Sequence, residues 1–252
     1  MDRRQKQIFY GSIYLVILVA IVFGFYIVFF REKPSCSDGI QNQNEAGIDC
    51  GGPCEKLCLA GAQPIKLIGK VNLLYVGLDH ASLLAKVENP NTSLAARNFD
   101  YVFDIYDEAG KFLRSAGGKS FVYAGEFKYI LVPNLEYSVE KISRVDFTSR
   151  NPRWVSAEDF FRPKIVIQNH QTEVFGKELR VSGKVINQDL IALPKVKVIA
   201  VFFGKFGQTS AASETELDNI GVDEVRPFTV IHPLTEGVNP EATQVFVFAY
   251  RP

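Results

Sequence analysis

The chain has no surplus of either charge. Its 252 residues include 28 lysines and arginines and 28 aspartates and glutamates, so the formal net charge at neutral pH is zero. Proteins that bind nucleic acid usually carry a basic surplus that neutralises phosphates, and none exists here. An acidic tail that would collect cations is absent too. We therefore expect no nucleic-acid partner.

The usual catalytic motifs are also missing. No serine lies in a G-x-S-x-G sequence, and all four cysteines fall within residues 36–58. The segment Gly118–Ser120 lacks the upstream glycine of a phosphate-binding loop, so we predict no nucleotide. We interpret the neighbouring carboxylates Glu214 and Glu216 as residues of a solvated strand face, because the sequence implies no apolar pocket around them. The sequence thus predicts a protein that is not an enzyme and holds no cofactor.

One long stretch has no charge at all. Residues 8–30 are almost wholly apolar, and cations flank them on both sides. The flanking cations are Arg3, Arg4, Lys6, Arg31 and Lys33. At about 1.5 Å per residue this stretch makes a helix of roughly 34 Å, slightly longer than the ~30 Å hydrocarbon core of a bilayer. We predict that residues 8–30 cross a lipid bilayer.

A cleavable signal peptide is the alternative for this segment. Its apolar region is usually about 7–15 residues long and ends at small residues, whereas this run is longer and closes with Val28, Phe29 and Phe30. We therefore predict that residues 1–33 form a short tip and an uncleaved signal anchor. The flanking charges differ only mildly, so the orientation is inferred from the cysteines, which favour an oxidising space. The expected localisation is the cell membrane, single-pass, with a cytoplasmic amino terminus and extracytoplasmic carboxyl-terminal domains.

All four cysteines lie directly after the span, in residues 34–60. This segment is rich in glycine, asparagine and aspartate and has too few apolar residues for a core, so covalent bonds must hold its shape. We predict a neck stapled by disulfides, in one of three possible pairings. The cysteines concerned are Cys36, Cys50, Cys54 and Cys58. Residues 36–54 resemble a C-x-D-G-I-x-N-x-x-E-x-G-x-D-C-G-G-x-C motif of secreted and surface proteins of bacteria and archaea, which implies an extracytoplasmic module.

Metal binding is the alternative role for the neck. Four thiolates could bind zinc, but a 13-residue gap followed by two three-residue gaps does not match the paired C-x2-4-C spacing of structural zinc sites. Oxygen-bearing side chains around glycines also make a candidate calcium loop. They are Asp38, Asn42, Asn44, Glu45 and Asp49. We favour the interpretation that these side chains hydrogen-bond their own backbone as turn residues, and we predict no metal.

The rest of the chain contains an internal repeat. Two stretches align at an offset that drifts from about 97 to 100. They are residues 64–147 and 163–247. Asn89 aligns with Asn187 at an offset of 98, and Tyr129–Pro133 aligns with Thr229–Pro233 at an offset of 100. We therefore expect one fold to occur twice.

Within each repeat the apolar residues alternate with the period of a β-strand. Phe99, Tyr101, Phe103 and Ile105 fall on one face of such a strand, and turn signals separate the runs. About seven short strands per repeat predict an all-β fold, namely two tandem immunoglobulin-like antiparallel β-sandwiches preceded by one transmembrane helix and a short cysteine-rich segment. The predicted boundaries are 61–150 for the first sandwich, 151–162 for an aromatic-containing connection and 163–252 for the second sandwich.

Two short patterns in the first repeat resemble known families. Phe103-Asp104-Ile105-Tyr106-Asp107 is similar to the signature of the FxLyD domain, with isoleucine in place of leucine, and Gly110 follows where that family has a glycine. The turn Asn89-Pro90-Asn91 resembles that of the late-embryogenesis-abundant type of β-sandwich, which is associated with water stress and is also found behind membrane anchors. The second repeat departs from FxLyD at Phe202-Phe203-Gly204, where the aspartate is lost. The resemblances imply a surface-exposed binding or structural module without catalysis, in which the matched residues are framework positions.

The connection between the repeats is rich in aromatic residues. Trp154, Phe160 and Phe161 lie in it, whereas a flexible linker would be rich in glycine and serine. We expect these rings to pack between the two sandwiches and to stiffen their arrangement.

One N-glycosylation sequon is present, at Asn91-Thr92-Ser93. The sequon falls in a predicted turn, where a glycan can be accommodated. Asn91 is therefore the candidate glycosylation site.

Together these features predict a single-pass, membrane-anchored protein that works by contact rather than by chemistry. Its partner would be a protein or another component of the envelope or surface, bound at strand edges and loops. The alternative is an architectural or stress-protective envelope protein with no specific ligand.

Overall fold

The structure is a computed structural model that describes residues 2–29, 35–59, 61–77 and 80–252. The chain divides into two units, Met1–Cys58 and Leu59–Pro252. The last residue of the predicted span, Phe30, and the flanking cations Arg31 and Lys33 lie outside the described residues. The domain boundaries predicted at 33 and at 60 fall outside them as well.

The first unit begins with an apolar helix, α1 (Arg3–Phe29). It starts five residues before the predicted Ile8, because arginine, glutamine and lysine are good helix formers. All its side chains from Ile8 to Tyr26 are exposed, and a helix that is apolar on every side is suited to lipid rather than to water. The helix is long and apolar enough to cross a membrane, as an anchor or as a signal sequence.

The second unit begins with a sandwich of seven strands. They are β1 (Lys66–Leu67), β2 (Asn72–Gly77), β3 (His80–Glu88), β4 (Leu94–Tyr106), β5 (Phe112–Val122), β6 (Phe127–Leu135) and β7 (Arg144–Ser156). In one antiparallel sheet β3 pairs with β6 on one side and with β1 and β2 on the other, and the second sheet has the order β5-β4-β7. Leu83 and Val87 of β3 pack in the core against Phe99, Phe103 and Ile105 of β4, so the predicted alternation of β4 is confirmed.

Six further strands form a second sandwich of the same design. They are β8 (Ile165–Phe175), β9 (Glu178–Asn187), β10 (Leu193–Phe203), β11 (Thr209–Ile220), β12 (Val225–Pro233) and β13 (Gln244–Ala249). Their antiparallel sheets have the orders β12-β9-β8 and β11-β10-β13, which repeat β6-β3-β2 and β5-β4-β7 strand for strand. The predicted all-β class with two tandem sandwiches is therefore confirmed.

The register of the strands corrects the repeat alignment near its end. Val87 of β3 pairs with Lys128, and the equivalent Val185 of β9 pairs with Arg226, so the offset there is 226 − 128 = 98. The offset of 100 predicted for Tyr129–Pro133 is wrong. Apolar alternation has a period of two residues, so a shift of two preserves the pattern and cannot be detected from it.

The two sandwiches pack against each other through the outer faces of one sheet each. Apolar side chains of β2, β3 and β6 meet those of β10, β11 and β13, and all of them are at most 6% exposed. They are Leu74, Leu84 and Leu131 on one side and Ile199, Val201, Ala212 and Phe248 on the other. Strands β3 and β10 each have one face in a sandwich core and the other face in this interface. Burial on both faces agrees with the mostly apolar sequences of the two strands. The four sheets thus form a stack with three apolar interfaces.

The connection between the repeats is shorter than predicted. Strand β7 continues to Ser156 and takes up half of the range 151–162. Trp154 pairs with Ala96 of β4 and packs against the core of the first sandwich. The expectation that Trp154 packs between the sandwiches is therefore wrong, because the strand carries its ring into the nearer core.

Phe160 does lie between the sandwiches. It is fully buried, and its ring centroid lies 4.6 Å from that of Tyr123 and 5.6 Å from that of Tyr250. Phe161 is half exposed, and the guanidinium group of Arg251 stacks on its ring at 3.7 Å. One of the three predicted rings therefore fills the junction, and a second lies at its rim.

Polar contacts at the same junction join the end of the chain to both sandwiches. The Tyr123 hydroxyl donates to the Ala249 carbonyl at 2.9 Å and accepts from the Arg251 backbone N–H at 3.0 Å. The Arg251 guanidinium donates to the Asp189 carboxylate at 3.0 Å. Tyr123 is 3% exposed, so these hydrogen bonds are shielded from water and fix one sandwich against the other.

Candidate functional site

The neck cysteines are paired as Cys36 with Cys54 and Cys50 with Cys58. Glu45 lies close to the first pair, and its carboxylate and the two sulfurs fall within 4.8 Å of one another. A disulfide sulfur is not a thiolate, so in this form these atoms are not a zinc site. The predicted disulfides are confirmed, and the structure selects one of the three pairings.

The five candidate calcium ligands serve mainly as turn residues. Asp38 accepts hydrogen bonds from the backbone of Ser35 and Ile40, which together with the Asn42 amide lower the pKa of Asp38. Two other carboxylates are used in the same way. Asp49 accepts from the Gly39 backbone, Glu45 accepts from the backbones of Asn42 and Asp49, and Asn44 has a positive φ of 65°. These contacts match the turn interpretation that the sequence favoured.

The FxLyD-like residues take structural positions in β4 and the turn after it. Phe103 and Ile105 are fully buried, whereas the Tyr106 ring lies near the surface beneath the Arg144 guanidinium. Asp107 accepts from the Lys111 backbone at 2.8 Å. Gly110 has a φ of 75°, a left-handed conformation in which glycine carries no steric cost.

Asn91 is not available to a glycan in this fold. It is 8% exposed, and its Nδ2 donates to the Gln63 carbonyl and to the Asn89 side chain, both at 2.8 Å. A sugar attached to Nδ2 would have to displace these contacts. The sequon at residues 91–93 is therefore a structural turn, and the expectation that it accommodates a glycan is corrected.

The turn also contains a fully buried asparagine that occurs in both repeats. Asn89 Nδ2 donates to the Leu94 and Tyr123 carbonyls, and Asn89 Oδ1 accepts from the Asn91 backbone. Asn187 makes the equivalent contacts, with its Nδ2 near three carbonyl oxygens and its Oδ1 accepting from the Asp189 backbone at 3.0 Å. The three carbonyls belong to Ile191, Ile220 and Gly221. Each asparagine thus joins the end of one strand to two neighbouring loops.

A cleft of about 280 Å³ opens between the two sandwiches. Strands β4, β5 and β6 of the first sandwich line one side of it, and β10, β11 and β13 of the second line the other. Its walls combine aromatic rings with several charged groups. The lining residues include Tyr101, Phe121, Lys128, Tyr129, Glu214 and Phe248.

Lys128 is the most unusual residue of the cleft, because it is a lysine that is 5% exposed. Its ammonium nitrogen lies 3.1 Å from the centre of the Phe121 ring and 5.4 Å from that of Phe248. Among the described residues it has no hydrogen-bond or ion-pair partner within contact distance. Burial lowers the pKa of Lys128 to about 7, although the carboxylates of Glu126 and Glu214 act in the opposite direction.

Glu214 faces the cleft from the second sandwich. Its Oε1 accepts from Lys197 Nζ at 2.8 Å, while its Oε2 is buried and has no hydrogen-bond partner in the described part of the chain. Tyr101 lies close enough for this carboxylate to add to the effect of burial, and both raise the pKa of the phenol. The interpretation of Glu214 as a residue outside any pocket is therefore wrong. The covering sandwich, which the local sequence does not show, creates the pocket.

The repeat provides an internal comparison for Lys128. The equivalent residue of the second sandwich is Arg226, whose guanidinium pairs with Glu224 near the surface. The preceding acid is also repeated, because Glu126 accepts from the Tyr123 backbone as Glu224 accepts from the Gly221 backbone. Burial raises the pKa of Glu126. An acid followed by a base thus occurs at equivalent positions of both repeats. Only the pair in the first repeat is covered by the other sandwich.

One pair elsewhere resembles a nucleophile and its base. Ser213 Oγ lies 2.8 Å from His232 Nδ1, and the other ring nitrogen lies 3.4 Å from Thr235 Oγ1. His232 is 2% exposed and packs on Phe202, and burial lowers its pKa. No carboxylate orients the ring among the described contacts, so this pair lacks the third member of a catalytic triad.

The sequence does contain one signal for the cleft. In β6, Lys128 stands two residues before Ile130 and four before Val132, both of which contact the first core. A lysine in the buried phase of a strand is rare unless it has a partner. The partner surface comes from about 70 to 120 residues further along the chain, so it could not be found from local pattern.

Comparison with known proteins adds little to this description. No family model matches the sequence, and no curated protein matches it. Among solved structures, red sea bream transglutaminase aligns with 72% of this chain at 11% identity and a TM-score of 0.22, and Ruminococcus gnavus β-glucuronidase aligns with 75% at 8% identity and a TM-score of 0.21. The alignments span 29% and 43% of those two chains. The likeness to the FxLyD and late-embryogenesis-abundant families therefore stays a prediction from the sequence.

Proposed function

We propose that this protein is a single-pass membrane protein whose tandem sandwiches lie outside the cytoplasm and bind an extended segment of a partner protein at strand β8. The apolar helix α1 supplies the anchor, and the disulfide-bonded neck is suited to an oxidising compartment. The two sandwiches share an apolar interface, so they present their edges as one body. The proposed mode of action is contact, without a chemical step.

The observation that carries the proposal is the character of β8 as an edge strand. It pairs with β9 on one side only, and its 11 residues include no lysine and no proline. Proteins usually protect exposed edges with such residues, because free backbone groups recruit other strands. Val174 and Phe175 at its end are 51% and 61% exposed. An added strand would gain backbone hydrogen bonds and cover these side chains.

Other long edges of the described sheets carry more charge or proline. Strand β11 also lacks lysine and proline, but it contains Glu214, Glu216 and Asp218. Strand β7 contains Arg144, Asp146, Arg150, Pro152 and Arg153. Strand β12 contains two prolines, and β5 contains Arg114 and Lys119. A partner strand would therefore be expected at β8 rather than at these edges.

Photo-crosslinking in the membranes of the producing cell tests the proposed edge. A photoreactive residue at Gln171 of β8 should give a discrete adduct, and Val174→Lys should abolish it by placing a charge in the added sheet. The matched probe at Arg150 of β7 should give none. Equal adducts from both positions would argue against strand addition. No adduct together with loss of envelope integrity on deletion would favour the architectural alternative.

A second experiment tests the orientation. A reporter that is active only outside the cytoplasm, fused after Pro252, should be active, and the neck cysteines should resist alkylation until a reductant is added. A fusion that is active only in the cytosol would exclude the proposed topology.

A further inference from the structure

The geometry of the cleft points to a binding site for a small organic acid, with its carboxylate at Lys128, its apolar body among the aromatic rings and a hydroxyl group at Glu214. Neither group of the chain finds its partner among the described residues. The ammonium of Lys128 lies over the Phe121 and Phe248 rings and makes no hydrogen bond or ion pair among the described residues, and Glu214 Oε2 is buried without a donor. A buried charge without a partner is costly, so a ligand that supplies both partners is favoured over an empty site.

The other charges around the cleft identify the missing partner as an anion. Lys195 pairs with Glu216 at 2.6 Å and Lys197 pairs with Glu214 at 2.8 Å, across two neighbouring strands. Lys119 pairs with Asp100 at 3.7 Å. Lys128 is then the one cleft lysine that has no acid within contact distance in the described structure.

The acid just before strand β6, Glu126, does not fill this role. Glu126 accepts from the Tyr123 backbone at 3.0 Å and pairs with Arg162 at 3.6 Å. Both carboxylate oxygens of Glu126 therefore already have partners other than Lys128. A carboxylate from outside the chain would form a charge-assisted hydrogen bond with Lys128, which is about twice as strong as a neutral one.

The walls determine the rest of the ligand. The rings of Phe121, Tyr129, Phe248 and Tyr250 line the cleft. Its volume of about 280 Å³ lies just below the ~300–1,000 Å³ of pockets that hold drug-sized molecules. The ligand is therefore a small acid with one ring or a short chain, rather than a long lipid.

Glu214 selects among such acids. Its Oε2 accepts but cannot donate, so it favours a ligand that carries a hydrogen-bond donor, such as a hydroxyl, in addition to the carboxylate. 3-Phenyllactate has all three features, and it is the probe that tests the site. The inference stands independently of the membrane anchor and of strand β8, since it concerns a different surface of the sandwiches.

Titration calorimetry on the full chain in detergent micelles measures the binding. We expect 3-phenyllactate to bind once per chain and Lys128→Met to weaken it by roughly 10–100-fold, the cost of a hydrogen bond to a charged group. Arg226→Met, the matched change at the equivalent position of the second repeat, should leave the affinity unchanged. Equal affinity of the wild-type and Lys128→Met chains would overturn the proposal.

Matched ligands separate the three features. 3-Phenyllactamide lacks the charge, acetate lacks the apolar body and 3-phenylpropionate lacks the hydroxyl, so each should bind more weakly than the probe. The advantage of 3-phenyllactate over 3-phenylpropionate should be lost in Glu214→Ala. An amide that binds as tightly as the acid would show that Lys128 does not hold a carboxylate, and the proposal would fail.

Proton uptake tests the site in the unmodified chain, even if a variant does not fold. Binding of an anion raises the pKa of Lys128, so at about pH 8 the complex should take up close to one proton, seen as a dependence of the binding heat on buffer ionisation. The charged groups that face Lys128 are Glu126, Lys197 and Glu214, and those that line the same cleft are Lys119, Lys195 and Glu216. Binding without proton uptake, or no saturable binding of the probe, would overturn the assignment.

Discussion

Replacement of Lys128 by methionine should stabilise the protein in the absence of ligand. Methionine keeps the length and the apolar stem of lysine but removes the ammonium group, which lies 3.1 Å from the Phe121 ring. Burial lowers the pKa of Lys128 from 10.5 to about 7, whereas in the unfolded chain the side chain is in water. Since one pKa unit corresponds to about 1.4 kcal/mol, the buried charge costs the folded state ~4 kcal/mol near neutral pH.

This cost changes with pH in one direction. Between about pH 7 and pH 10.5 the unfolded chain binds more protons at Lys128 than the folded chain does, so the contribution of this residue to stability becomes less unfavourable as the pH rises. The penalty is close to complete below about pH 7 and falls to ~1 kcal/mol near pH 10. The Lys128→Met chain lacks this titration, so its advantage over the wild type should shrink by ~3 kcal/mol across that range.

Guanidinium unfolding of the full chain in micelles provides the measurement. The signal is the fluorescence of Trp154, the one tryptophan of the sequence, which packs against the first core. Arg226→Met is the control, because Arg226 occupies the equivalent strand position in a partly exposed pair with Glu224 and should change the free energy of unfolding by less than about 1 kcal/mol. A Lys128→Met chain no more stable than the wild type, or an advantage that stays constant with pH, would refute the reasoning.

Three further predictions use the same unfolding assay. Asn187→Ala should lower the free energy of unfolding by ~2–4 kcal/mol, because it leaves buried carbonyls and the Asp189 N–H without partners, and a loss below ~0.5 kcal/mol would contradict this account. Tyr123→Phe keeps the ring but removes two hydrogen bonds at the junction, so we expect a loss of ~1–3 kcal/mol; no change in the unfolding midpoint would count against the junction as a brace. Reduction of the neck disulfides should leave the Trp154 transition unchanged, because residues 36–58 belong to the other unit, and a lowered midpoint would disprove their independence.

Much of the fold could be predicted from the sequence, because local pattern and tertiary environment agree there. In β4, Phe103 and Ile105 alternate with polar residues and are fully buried, as the period of two predicts. Asn89 and Asn187 align because each lies at the end of a central strand. Each also donates a side-chain hydrogen bond to a backbone carbonyl beyond that strand. The disulfide pairing could not be predicted, because spacing alone does not determine which cysteines approach each other.

The candidate site could not be predicted, because it is made by contacts between distant parts of the chain. The residues on both sides of Glu214 are polar, which is the pattern of a strand in contact with solvent, yet its Oε2 is buried. The position of Trp154 could not be predicted for a related reason, since its strand continues beyond the end of the predicted domain. Burial at an interface between repeats depends on which faces meet, and a periodic pattern gives no information about that.

The repeat shows how such a site can arise without a distinctive motif. Two copies of one strand place a base two residues after an acid, as Glu126 with Lys128 and as Glu224 with Arg226. In the second copy the base is partly exposed and pairs with its acid, which is the ordinary arrangement for a surface strand. In the first copy the other sandwich brings Phe248 over the base, and the same position becomes a buried charge without a partner. What distinguishes the two positions is therefore the packing of one copy on the other, so the chemistry of the cleft belongs to the tandem arrangement and to neither sandwich alone.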